Sequence, residues 1–187
     1  MQYKGKVSGT LYYSDKQPQA FIDIPVEFDM VPETVDIKIK MLTSTAQMPS
    51  KAYPGDACFD IYADIKQDVE GDSVEDTITI PPHSTVKIPT GFATEIPEMF
   101  WCPIYARSGT ATKRYLRPAQ GTAVIDSGYR GEWFIPLHND SDTEQVVTHG
   151  ERIAQFCVQR VYYTTLTQVA ELSDSVRGEG GFNSSGV

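Results

Sequence analysis

Residues 121–133, GTAVIDSGYRGEW, place one carboxylate, Asp126, between an apolar run and a glycine-rich turn. Ala123, Val124 and Ile125 read as the end of a strand, Ser127 and Gly128 as the tight loop of a hairpin, and Tyr129, Arg130 and Trp133 as the strand that returns. An acid held at the mouth of such a hairpin is fixed by backbone yet open to a ligand, as a general base acting on water has to be. Asp is also a common turn residue that bonds its own backbone, so on these residues alone Asp126 reads first as a turn cap.

On both sides the chain repeats the strand-and-turn pattern. Residues 20–30 alternate apolar and polar, and Pro25 within them marks a sheet edge. Val35, Ile37, Ile39 and Met41 alternate with Asp36, Lys38 and Lys40. The turn-rich residues 14–18 predict that residues 10–13 pair back on Phe21 onward. Further strands are expected over 59–63, 77–80, 85–88, 100–105, 134–138 and 152–163, separated by Pro, Gly and Asp; residues 108–114 hold room for one short helical turn. Many short strands with such punctuation favour an all-β sandwich, barrel or jelly roll over a parallel α/β sheet.

At 187 residues the chain suits one domain with a substantial core. No apolar stretch approaches the length of a membrane span, and the N-terminal lysines are not followed by an apolar segment, so a cytoplasmic protein without membrane attachment is expected. Cys58, Cys102 and Cys157 are too far apart in sequence for a metal knuckle and read as buried thiols of a reducing compartment. A formal charge of -9 argues against a nucleic-acid binder. It leaves room for a small phosphorylated ligand wherever arginines, backbone amides and a divalent cation converge.

Four further places carry chemistry. Arg107-Ser108-Gly109 follows a strand and can form a small anion-binding concavity, or an ordinary strand-to-loop transition. In GERIAQ, residues 150–155, Gln155 is a pocket group or a solvent-facing strand residue. In DACFDIYA, residues 56–63, Asp60 interrupts an apolar run and calls for a partner. From Asp174 the chain runs DSVRGEGGFNSSGV, which cannot bury enough surface to fold alone. It reads as a frayed tail, or as a flap in which glycine amides and Arg177 meet phosphate oxygens and Phe182 lies on a base.

These segments, in this order and at these separations, resemble the trimeric dUTP pyrophosphatase (dUTPase) family, from about Val35 to the C-terminus. The residues that carry the resemblance are Ala57-Cys58-Phe59-Asp60-Ile61-Tyr62-Ala63, Arg107-Ser108-Gly109, Gly121-Thr122-Ala123-Val124-Ile125-Asp126 with Tyr129-Arg130-Gly131, Gly150-Glu151-Arg152-Ile153-Ala154-Gln155, and Arg177 through Gly186. The resemblance implies a jelly-roll-like distorted barrel of the dUTPase type; residues 1–33 have no counterpart in the family pattern and read as an additional N-terminal β-hairpin. Residues 1–33 would form that extension, 34–173 the core and 174–187 a flexible flap. It also implies a homotrimer whose active sites are shared between subunits.

The activity it implies is hydrolysis of dUTP to dUMP and pyrophosphate by Mg2+-assisted attack of water on the α-phosphorus, with Asp126 as general base. Gly121, Thr122, Ala123, Val124 and Tyr129 would hold base and sugar, and Phe182 would cover the uracil. Arg107, Ser108, Gly109 and Gln155 would contact phosphates from the body of the protein, and Arg177, Ser184 and Ser185 from the flap. Asp60 would hold the metal through water. The chain departs from the family pattern at Thr110, Ala123 and Asn183, and the segment from Arg107 to Asp126 is slightly long, which leaves Gln120 without an assigned part. A dCTP deaminase-like enzyme and a non-catalytic trimer on the same fold are the competing readings.

Overall fold

The computed structural model describes residues 3–7, 26–30, 34–65 and 76–181. In chain order these residues form β1 (Tyr3–Val7), β2 (Val26–Met30), β3 (Lys38–Met41), β4 (Phe59–Tyr62), β5 (Thr77–Ile80), β6 (Thr85–Glu95), β7 (Phe100–Tyr105), α1 (Ser108–Arg114), β8 (Leu116–Pro118), β9 (Ala123–Asp126), β10 (Glu132–Asn139), β11 (Gln145–Thr148), β12 (Arg152–Phe156) and β13 (Gln159–Arg160). Every strand pairing is antiparallel. One sheet runs β3-β6-β10-β8 and another runs β4-β12-β7, with β9 on the far edge of β7 and β13 beside β7. Two ribbons, β1-β2 and β5-β11, complete an all-β architecture whose sheets do not close into a barrel among the described residues.

Alternation along β10 explains why the two large sheets face one another. Trp133, Ile135, Leu137 and Asn139 point inward while their neighbours stay half-exposed. The Trp133 ring lies 5.2 Å from Phe92 of β6 and 5.0 Å from Phe156 of β12, and Phe156 stacks on Phe59 of β4 at 5.3 Å. Four rings thus cross from one sheet to the other. The indole N–H donates to Thr94 Oγ1 at 3.1 Å, and Thr90 Oγ1 donates to the Trp133 carbonyl at 2.6 Å, so the buried polar atoms around the ring are satisfied.

Most expected strands are present, with instructive differences. The hairpin read in residues 121–133 is a crossover between sheets: β9 pairs with β7, whereas β10 pairs with β6 and β8. The cause is Trp133, fully buried, which draws β10 into the opposite sheet. The expected strand over 152–163 breaks at Cys157 and Val158, and residues 161–173 carry no strand pairing. Strand β6 runs on from Ile88 to Glu95, through residues buried on both faces that show no alternation to detect. The N-terminal ribbon is formed by β1 and β2, with Tyr3 opposite Met30 and Val7 opposite Val26. The expected first strand over 10–13 and the first part of 20–30 lie outside the described residues.

One glycine carries a packing constraint. Gly91 has φ +68°, and a Cβ built on it would stand 2.2 Å from Asp64 Oδ2 and 2.6 Å from Ala46 Cβ. Asp64 is buried and accepts hydrogen bonds from the Thr43 hydroxyl and, at 2.6 Å, from that of Thr45, so it cannot move aside without losing them. Left-handed backbone strain plus loss of that buried network predicts that Gly91→Ala costs about 3 kcal/mol. A urea titration reads this as a lower midpoint at unchanged slope, and a wild-type midpoint would show that the Asp64 pocket yields freely.

Candidate active site

The expected site residues gather in two places. The first is an open cleft of about 470 Å³ lined by Thr122, Ala123, Val124 and Asp126 together with Tyr129. Among the described residues strand β9 pairs with β7 alone, so the backbone N–H and C=O groups of its other edge are open to a ligand. Asp126 ends that strand; its carbonyl accepts the Tyr129 N–H at 3.1 Å in a tight turn. Its carboxylate has no hydrogen-bond or ion-pair partner among the described residues and is exposed at the cleft wall. The Tyr129 hydroxyl donates to the Glu132 carbonyl at 2.9 Å, laying the ring across Gly131, where a Cβ would meet the hydroxyl at 2.5 Å. Gly131 is therefore required for the position of Tyr129. Gly121, at φ +73°, turns the chain into the cleft but does not line it.

Gln120 lines this cleft as well. Five lining residues carried no functional signal in the sequence: Lys87, Ile104, Glu132, Phe134 and Pro136. Lys87 stacks its ammonium 3.6 Å from the Phe134 ring centre. The Glu132 carboxylate accepts the backbone N–H groups of Thr90 and Gly91 at 3.2 and 2.9 Å, bridging the register shift between β10 and β6.

The second place is a cleft of about 320 Å³ lined by Asp56, Cys58, Asp60, Arg107, Ser108, Arg152 and Gln155, among others. Asp60 has the partner its sequence position demanded. Arg107 Nε donates to Asp60 Oδ1 at 2.6 Å and Arg152 Nη1 donates to Oδ2 at 3.1 Å. Arg107 also reaches the Arg152 carbonyl at 3.4 Å, leaving the rest of its guanidinium for a ligand. Gln155 sits opposite Asp60 in the β4-β12 register, and its Nε2 donates to the Ala106 carbonyl at 2.8 Å. Gly109 borders an adjoining basic cleft with Lys113 and Arg114, the latter ion-paired with Glu151.

Arg152 was passed over in the sequence for a definite reason. Simple alternation from Gln155 puts it on the opposite face, but the register shifts between Arg152 and Ala154, so both Ile153 and Ala154 turn inward and Arg152 returns to the face of Asp60. Cys58 belongs to the same cleft. Burial pushes its thiol above the ordinary range, and the neighbouring Cys157 sulfur adds to the shift. The fully buried Cys102 is pushed up to about 12, again mainly by burial.

The two clefts share no lining residue. Across the sheet, β9 and β4 are separated by β7 and β12, and Asp126 stands level with Trp101 while Gln155 stands level with Tyr105. Strand spacing and rise put Asp126 roughly 15 to 20 Å from Asp60 and Gln155 of the same chain. Arg177 is exposed and donates from Nε to the Gly180 carbonyl at 2.8 Å in a turn that includes Gly178 at φ +51°. Phe182, Ser184 and Ser185 lie outside the described residues. No helix among the described residues is long and apolar enough to cross a membrane.

Comparison with known proteins gives a uniform result. The family model described as dUTPase matches residues 44–186. The deoxyuridine 5'-triphosphate nucleotidohydrolase of Thermobifida fusca is 37% identical over 154 residues, covering 82% of this chain and 80% of its own. That of Clostridioides difficile is 38% identical over 151 residues, covering 81% of this chain and 98% of its own. Among solved structures, a mutant dUTPase of Staphylococcus bacteriophage 80alpha with dUpNHpp superposes at a TM-score of 0.70 and 30% identity, covering 82% of this chain and all of that one.

Proposed function

The chain belongs to the dUTPase family and hydrolyses dUTP; from that premise we propose that Asp126 is the general base that activates water against the α-phosphorus, releasing dUMP and pyrophosphate. The observation that carries this reading is the unpartnered Asp126 carboxylate on the wall of the β9 cleft. An acid with no ion pair to hold it can take a proton from water, provided the water is held within hydrogen-bond reach.

Base and sugar bind along the free edge of β9. Its backbone donors and acceptors near Thr122, Ala123 and Val124 match the edge of uracil, with Gly121 setting the turn that leads into them. The Tyr129 ring closes on the sugar and leaves no room for a ribose 2'-hydroxyl. Phe182 covers the base from the tail. The triphosphate binds where Arg107, Ser108, Gly109 and Gln155 converge, and Arg177, Ser184 and Ser185 close over its outer phosphates. Asp60 positions this half: by fixing Arg107 and Arg152 together it sets the guanidinium plane before substrate arrives.

The family uses Mg2+. Among the described residues no three His, Cys, Asp or Glu side chains cluster closely enough to cage a metal, which suits an ion that keeps its waters and binds through substrate phosphates. Asp60 fits as the carboxylate that holds those waters, since each of its oxygens accepts one arginine hydrogen bond and retains a lone pair. When bound, the ion supplies neutralisation of the charge that builds on the departing pyrophosphate.

Substrate bound in the β9 cleft of one chain cannot place its phosphates roughly 15 to 20 Å away in the Asp60 cleft of that chain while keeping the α-phosphorus beside Asp126. The two halves work together if they come from different chains, as in a homotrimer with shared sites. The exposed apolar residues Tyr162, Tyr163, Leu166 and Leu172 support the same arrangement, because an unpaired arm of that character gains by lying on a neighbour. Residues 1–33 form an N-terminal extension, 34–173 the core and 174–187 the closing flap. The three free cysteines suit the cytoplasm, and the acidic charge suits a protein that binds neither nucleic acid nor membrane.

Turnover of dUTP, dCTP and dTTP measured side by side tests the reading; deamination of dCTP, or no turnover of any of the three, would favour one of the two competing proteins. Asp126→Asn is expected to bind a nonhydrolysable dUTP analogue as wild type does and to lose about 10²- to 10⁴-fold in kcat. Wild-type turnover in that variant would remove Asp126 from the mechanism. Deleting residues 174–187 is expected to abolish most activity while the oligomer, read by sedimentation, stays intact; an unchanged rate would make the segment a passive tail.

A further inference from the structure

Cys58 and Cys157 have no part in the hydrolysis just described, yet they meet at its phosphate cleft. We propose that these two thiols are a reversible oxidation site, converted to a disulfide by a hydroperoxide, and that the closed bond suppresses nucleotide hydrolysis. The suppression rests on the proposed function above; formation of the bond does not.

The register of β4 and β12 supplies the geometry. Phe156 is opposite Phe59 and Gln155 opposite Asp60, so continuing the ladder by one residue sets Cys157 opposite Cys58. Directly opposed residues of an antiparallel pair have Cα atoms about 4.5 or 5.5 Å apart, and both values lie within the range that a disulfide spans. The two side chains are close neighbours, near enough that the Cys157 sulfur helps to push the Cys58 thiol above its ordinary range. Pleating separates this pair from the core, because Phe59 and Phe156, the residues between, stack on each other and on Trp133. Cys58, Asp60, Gln155 and Cys157 accordingly occupy one face of the two strands, two rungs of a single ladder. Both cysteines are half-buried, whereas Cys102 is wholly enclosed. A peroxide can therefore reach the pair and not the third thiol.

The chemistry balances without another partner. Cys157 attacks the peroxide oxygen as its thiolate and becomes a sulfenic acid, releasing water or an alcohol; the Cys58 thiol, which burial keeps protonated, then displaces the hydroxyl, which leaves as water. The two sulfurs lose two electrons and two protons, and the peroxide O–O bond takes them up. A dithiol reductant reverses the reaction by exchange. In the closed form the Cys58 side chain leaves the cleft wall for its partner, and β4 and β12 are tied next to the rung that carries Asp60 and Gln155. Since Asp60 fixes both arginines, a small shift of that rung displaces the phosphate-binding groups together.

The three cysteines fall on separate tryptic peptides, 52–66, 88–107 and 153–160, so the bond can be read directly. Full-length reduced protein treated with hydrogen peroxide is expected to yield a 52–66 peptide linked to 153–160, two hydrogens lighter than the sum of the two and released by dithiothreitol. In parallel, dUTP turnover should fall about tenfold or more and recover on reduction. Cys157→Ser is expected to keep the basal rate and to lose the sensitivity. No linked peptide, or a link through Cys102, overturns the site. A link with unchanged turnover, or equal loss in Cys157→Ser, overturns the suppression. Absence of dUTP turnover in the reduced protein tells against the proposed function alone, because the linked peptide is measured independently of activity.

Discussion

The indole of Trp133 holds the two large sheets in register, and the site depends on that contact. Its ring is wholly buried and touches Phe92 within its own sheet and Phe156 in the facing one. Enclosing a ring of that size contributes about 4 to 6 kcal/mol of apolar burial, comparable to the net stability of a small domain. The connection from β9 to β10 ends at Trp133, so the few residues that carry Asp126, Tyr129 and Gly131 are stretched between one strand fixed to β7 and another fixed by the indole. A loop so anchored at both ends has little freedom, and the Asp126 carboxylate acquires its position from packing that it does not touch.

Strand pleating then divides the work between faces. Phe59 and Phe156 supply the core, while Asp60 and Gln155, one residue along each strand, look into the second cleft. A single backbone register therefore sets both the packing of the rings and the pairing of the polar groups. A slip of one residue would bury Asp60 and expose the aromatic pair, which is far more costly than any loss at the surface. The polar cleft is in this sense protected by the core behind it. The shift at Ile153 adds the one irregularity, bringing Arg152 round to the cleft without disturbing the stacked rings.

How much of this was legible in the sequence depended on the range of the interaction. Local signals were read well: the residues of β5 and β7, the short helix from Ser108, and the turn at Asp126 all follow from alternation, glycine and proline. Asp60 was recognised as an acid in need of a partner, but which arginine would supply it depends on a ladder between segments some ninety residues apart in sequence. The partners of β9 and β10 were misjudged because two adjacent strands with a glycine turn look like a hairpin locally, and only burial of Trp133 sends the second into another sheet. Lys87 and Glu132 carried no motif at all; they line the cleft because β6 and β10 lie side by side there. Short strands β8 and β11 give no alternation to detect, β8 because it has three residues and β11 because QVVT sets two apolar residues side by side, whereas TITI of β5 alternates.

Charge decides how the proposed site has to operate. The protein carries a net charge of -9, yet its substrate is a triphosphate, so attraction has to be local. Arg107 and Arg152 face the cleft proposed for the phosphates, but Asp60 and Asp56 face it too, and in the adjoining cleft Glu151 engages Arg114. The body of one chain thus presents little net positive charge where several negative charges must be held. It presents directed donors instead, since ion pairing to Asp60 orients the guanidinium groups without consuming all their N–H bonds. On the proposed reaction, the missing positive charge comes from the metal ion and from Arg177. If the tail closes over bound substrate as proposed, affinity for free phosphate-bearing molecules stays low until then, and full neutralisation coincides with exclusion of water around Asp126. A site that carried all its cations permanently would bind nucleotides of every kind; one that completes itself on closure would couple charge to the fit of the base in the cleft proposed for it.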